Sequence, residues 1–90
     1  MHRLKKLLTP KRRVPLKCQL PADDLINRLA VALNSDQVVT IQVNVSLLSE
    51  EVTNFTGYVY QNQHGEILIQ SPKTHQMTII LPGTIRHITL

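Results

Sequence analysis

Val52-Thr53-Asn54-Phe55-Thr56-Gly57-Tyr58-Val59-Tyr60-Gln61 alternates with the two-residue period of a β-strand. Phe55, Gly57 and Val59 fall on one face, and Thr56, Tyr58 and Tyr60 on the other. A glycine in mid-strand permits a sharp bend or the close approach of another backbone. A bent strand among several short ones is what a small, strongly curved sheet requires.

The flanking sequence supplies those short strands. Upstream, Val39, Ile41, Val43 and Val45 alternate with Thr40, Gln42 and Asn44, which predicts a half-buried strand with one wet face. Ser46 to Glu51 is a polar connection. Downstream, Asn62-Gln63-His64-Gly65 is a turn, with Gly65 suited to a left-handed position. Ile67 and Ile69 mark a third strand, Ser71-Pro72-Lys73-Thr74 another turn, and Met77, Ile79 and Leu81 a fourth strand. Pro82-Gly83-Thr84 reads as one tight turn before Ile85, Ile88 and Leu90.

Residues 21–34 are the one convincing helix. Pro21 suits a helix start, and Asp23 and Asp24 place negative charge where the dipole favours it. Leu25, Ile26, Leu29, Ala30 and Leu33 recur at the spacing of one apolar face, with Asn27, Arg28 and Asn34 elsewhere. The expected fold is mostly β with one N-terminal helix: a small five-stranded SH3-like or Sm-like barrel, the helix capping an open end.

Ninety residues make a single domain with a small core. The chain is 42 % apolar but holds three aromatic residues, so the core falls to Val, Ile and Leu. Cys18 is the one cysteine, which fits a reducing, cytoplasmic compartment. No apolar run reaches the length of a signal peptide or a membrane span.

The net charge of +4 hides an asymmetry. Arg3, Lys5, Lys6, Lys11, Arg12, Arg13 and Lys17 lie in the first 17 residues, which hold no acid. The remainder carries three basic residues against six acidic ones. This divides the chain into a basic, flexible arm over residues 1–19 and a mildly acidic helix-plus-barrel domain over residues 20–90. Pro10 and Pro15 interrupt any helix in the arm. Leu4, Leu7 and Leu8 share one side of a single basic turn, and Leu16 and Leu20 are placed to pack on the barrel.

Four short matches carry a family resemblance. Leu20-Pro21 opens a helix continuing through Ile26, Ala30 and Leu33-Asn34. Gln37-Val38-Val39-Thr40-Ile41 follows, then Thr56-Gly57-Tyr58-Val59. Ile80-Leu81-Pro82 precedes Ile85 and Ile88. In this order they resemble the YolD-like family of small bacterial proteins, over about four-fifths of the chain. The family's Arg-Asp-Arg-Gly and Lys-Trp signature is missing from residues 1–19. The resemblance implies an SH3-like barrel and a link to DNA-damage tolerance and translesion polymerases. It transfers no catalytic residue.

The basic residues named above are the strongest chemical signal, because clustered Lys and Arg neutralise phosphates and release counterions. They serve equally as a solvated tail or as an arm on an acidic surface. Tyr58 and Tyr60 either stack bases or grip a peptide from a wet face, or pack against the helix or the arm. His2, His64, His75 and His87 show no metal-ligand spacing; His64 belongs to a turn, and His75 and His87 to strand surfaces. Asp23-Asp24 and Glu50-Glu51 do not converge on a substrate. Cys18, despite basic neighbours, lacks a visible base or oxyanion site. The chain is therefore expected to be non-enzymatic, without metal or cofactor. The first reading is a protein-interaction or adaptor module, docking another protein such as a DNA polymerase. The alternative is an Sm-like binder of single-stranded nucleic acid (RNA), which assembles through strand edges.

Overall fold

The structure is a computed structural model and describes residues 15–46, 48 and 50–90. The expected turn around Leu4, Leu7 and Leu8, and the breaks at Pro10, lie outside the described residues.

Helix α1 (Ala22–Leu33) starts after Pro21, whose carbonyl accepts the Leu25 N–H at 3.0 Å. Asn34 ends it, its side-chain Nδ2 donating to the Ala30 carbonyl at 2.9 Å. The buried stripe differs from the expected one. Leu25, Leu29, Ala32 and Leu33 face the core, whereas Ile26 and Ala30 are exposed. Arg28 joins the inward stripe because its guanidinium has an acceptor there: Nη1 donates to the Ile88 carbonyl at 2.7 Å.

Strands β1 (Val39–Asn44), β2 (Val52–Gln61), β3 (Ile67–Gln70), β4 (Met77–Ile80) and β5 (Ile85–Thr89) form one antiparallel sheet in the order β4-β3-β2-β1-β5. A 3₁₀ turn, Pro82–Thr84, carries the chain from β4 to β5. Its Thr84 N–H donates to the Leu81 carbonyl at 2.9 Å.

Gly57 divides β2. Residues 52–57 pair with β1, and residues 58–61 pair with β3. A Cβ at Gly57 would lie 2.0 Å from the Gln70 carbonyl oxygen, so the backbones meet at a distance only glycine allows. The close approach of another backbone expected at this glycine is thus present. Closure is not: β4 and β5 are the two edges, and the sheet stays open. The outer side of β5 is engaged instead by the chain leading into the helix, where Leu20 N–H donates to the Arg86 carbonyl at 2.9 Å. Arg86 is the extra residue of a bulge, since Gln42 pairs with His87 but Val43 pairs with Ile85.

The inner face carries Val39, Ile41, Val59, Ile67, Ile69, Ile80, Ile85 and Ile88, closed over by Ala32 of the helix. Phe55 and Val43 pack at its margin. Each fully buried Ile or Val contributes about 1.5–3 kcal/mol relative to exposure. No helix among the described residues is long and apolar enough to cross a membrane.

Candidate docking face

The outer face has two halves of different chemistry. Over β5, β1 and the first part of β2 the residues are polar: Thr40, Gln42, Asn54, Thr56 and His87. The Thr40 and Thr56 hydroxyls bond to each other at 2.9 Å.

Residues 15–19 lie on this half as a strap, and Gln42 holds it. The Lys17 N–H donates to Gln42 Oε1 at 2.8 Å. Gln42 Nε2 donates to the Pro15 carbonyl and to Asn54 Oδ1, both at 2.9 Å. Arg86 Nε donates to the Lys17 carbonyl at 2.6 Å. His87 Nδ1 lies 3.1 Å from the Cys18 carbonyl, which can only accept, so this nitrogen carries the proton. The wet face expected for β1 is therefore dry at Gln42, which is 2 % exposed. Its alternation was legible; of the strap, Leu20 is buried as expected, whereas Leu16 is 44 % exposed because main-chain bonds to Gln42, not its side chain, hold this stretch down.

Over the second part of β2, β3 and β4 nothing described covers the outer face, and it turns apolar. Tyr60 stands opposite Leu68, and Leu68 opposite Ile79, making one row across three strands. Tyr58, Gln70 and Met77 form the next row. Tyr60 and Met77 are each 45 % exposed and Ile79 is 52 % exposed, while Tyr58 and Leu68 are half-buried. The tyrosines do not pack against the helix, which lies on the opposite face over the core.

Of the basic residues singled out in the sequence, Lys17 is described and its side chain is exposed. Arg3, Lys5, Lys6, Lys11, Arg12 and Arg13 lie outside the described residues. Met77 and Ile79 were read in the sequence as strand residues only, and Leu68 lies unremarked between Ile67 and Ile69. What they share with Tyr60 is a cross-strand register, which no local pattern prints.

Other chemistry is sparse. Cys18 Sγ is 4.0 Å from His87 Nδ1, and no group of three or more metal-ligating side chains occurs among the described residues. His75 is in the β3–β4 turn rather than on a strand, in the left-handed region at φ 62°, with its N–H donating to the Ser71 carbonyl at 2.9 Å. His64 occupies the β2–β3 turn, where Gly65 adopts φ 81° as its position demanded. A depression of about 340 Å³ between β2 and the β3–β4 turn is lined by Ser71, Thr74, Gln76 and Thr78, among others, without a titratable side chain.

No family model matches the chain, and no curated protein or solved structure matches it.

Proposed function

We propose that this protein is a non-enzymatic interaction module whose docking surface is the outer face of β2, β3 and β4. The observation that carries the reading is the row Tyr60, Leu68 and Ile79, with Met77 beside it, left apolar and exposed on a sheet whose other outer half is strapped over. Exposed apolar surface gathered in one place favours association with another protein. Tyr60 is suited to anchor it, being large and stiff with a polar tip. In this reading the fold is an open form of the small SH3-like or Sm-like barrel, with its two half-sheets hinged at Gly57. The YolD-like resemblance adds the class of partner, a translesion DNA polymerase, and the lone Cys18 fits a cytoplasmic setting.

Titrating a purified translesion polymerase into the isotopically labelled protein tests this. Resonance shifts confined to Tyr58, Tyr60, Leu68, Met77 and Ile79, and lost in Tyr60→Ala, are the expected result. Shifts confined to the helix, or none at all, would overturn it.

One observation favours a second reading, single-stranded nucleic-acid binding. The strap fixes Pro15 and Lys17 on the same outer face that carries Tyr58 and Tyr60. A cation at Lys17 and rings that can stack bases thus share one outer face, on its two halves. Oligonucleotide anisotropy across salt, with the full chain and with residues 1–14 removed, decides it. Binding that needs the arm and falls steeply with salt supports the reading. No binding by either form at low salt sinks it.

A further inference from the structure

Sheet edges in monomeric proteins are blunted by charge, proline, bulges or a covering segment. The β5 edge has a bulge, Arg86 and the bond from Leu20. The β4 edge, four residues long, has none of these among the described residues. Residues 76–81 read Gln76-Met77-Thr78-Ile79-Ile80-Leu81, without a charge or a proline, and among the described residues no strand lies beyond them.

The direction of the free backbone groups follows from one bond. Ser71 N–H donates to the Gln76 carbonyl at 3.0 Å, so residue 76 faces β3. Antiparallel residues alternate between facing the partner strand and facing away. In the register of the β3–β4 pair, Thr78 and Ile80 therefore also face β3. Met77 and Ile79 direct N–H and C=O outward, away from the sheet.

We infer that this edge pairs with β4 of a second copy of the chain, antiparallel, about a two-fold axis at Ile79. A two-fold centred there sets Ile79 opposite Ile79, Met77 opposite Leu81, and Thr78 opposite Ile80. All three outer-face positions then meet apolar side chains, each at least 45 % exposed in the single chain. The two Ile79 residues exchange reciprocal N–H to carbonyl bonds, and each Leu81 N–H reaches a Met77 carbonyl. The Leu81 carbonyl is already taken by Thr84 N–H and Oγ1.

Charge favours a second copy here. The edge itself is neutral, so two copies meet there without like charges at the seam, and Lys17 of the strap and Arg86 of β5 lie toward the opposite edge of the sheet.

The dimer deepens the docking reading without depending on it. It joins two Tyr60–Leu68–Ile79 rows into one apolar band, yet its own contacts are those of the edge. A four-residue edge makes a small interface, so the dimer is expected to be of about micromolar affinity or weaker.

The experiment is sedimentation equilibrium of the full chain over a wide concentration range, with amide exchange measured at both ends of it. The expected mass rises from one chain to two and no further. Exchange at Ile79 and Leu81 slows with concentration, while Thr78 and Ile80, already bonded to β3, and Met77, whose would-be acceptor, the Leu81 carbonyl, is taken by Thr84, do not change. Ile79→Lys weakens association by roughly tenfold or more, and Tyr60→Ala leaves it intact. A monomer at every concentration, a mass above two chains, a dimer indifferent to Ile79→Lys, or slowed exchange elsewhere would each overturn the inference. Should Ile79→Lys fail to fold, the exchange pattern of the unaltered chain still decides. Because no partner is added, failure here is distinct from failure of the docking titration.

Discussion

Gln42 Nε2 donates to Asn54 Oδ1 across the β1–β2 pair at 2.9 Å, and both functions of that glutamine amide are used within a site almost closed to water. Removing the amide in Gln42→Ala leaves the Lys17 N–H, the Pro15 carbonyl and Asn54 Oδ1 without this partner. The expected cost is about 1–3 kcal/mol. Urea denaturation measures it. Trypsin cleavage after Lys17 should also quicken, because the strap loses its main hold. An unchanged midpoint and cleavage rate would mean that the strap is held elsewhere.

Gly57→Ala should destabilise severely. The added Cβ meets the Gln70 carbonyl, a backbone atom that cannot swing aside as a side chain would. Overpacking of this kind costs about 1–3 kcal/mol and can cost more. Gly83→Ala is the matched control, since nothing lies within 4 Å of its Cβ position. It should leave the melting temperature unchanged or raise it slightly by restricting the unfolded chain. Thermal melts of the two variants should diverge by well over 10 °C, at roughly 4–8 °C per kcal/mol for a domain of this size.

Ile41 and Ile88 face each other across the β1–β5 pair, and both are fully buried. Ile88→Ala should cost about 2–5 kcal/mol. Ile26→Ala, on the exposed side of the helix at 64 % exposure, should cost little. A comparable loss from both would mean that the helix buries a different face in solution.

Arg28→Lys tests the tie between helix and sheet. The guanidinium Nη1 reaches the Ile88 carbonyl, and an ammonium on a differently shaped stem does not reproduce that approach. A loss of about 1 kcal/mol is expected, read as a fall in melting temperature. No change would make the bond incidental.

The strands were legible because their alternation is local: β2 spans Val52–Gln61 as its pattern indicated, and Gly57 sits where its pairing passes from β1 to β3. The helix was legible in extent, but its buried stripe was read one step off. Leu25, Ile26 and Ala30 look equivalent by hydropathy, and only Ile88 makes Arg28 an inward residue. Closure was not legible, because it depends on whether β5 meets β4 or the chain near Leu20, and no short pattern encodes that choice. The docking face was half legible. Tyr58 and Tyr60 stood out as aromatics on one side of a strand, whereas Leu68, Met77 and Ile79 became their neighbours through pairing alone.

The pairing of β1 with β5 also bears on how this chain emerges from a ribosome. Helix α1 and β1 are synthesised early, yet the strand that completes β1, and the carbonyls that receive Leu20 and Arg28, belong to residues 85–89. Until those residues are out, Ile41 has no Ile88 to rest on and β1 is itself a bare edge. The nascent protein therefore exposes its most deeply buried surface until residues 85–89 have emerged, and long-range pairing of this kind makes its closing step slow.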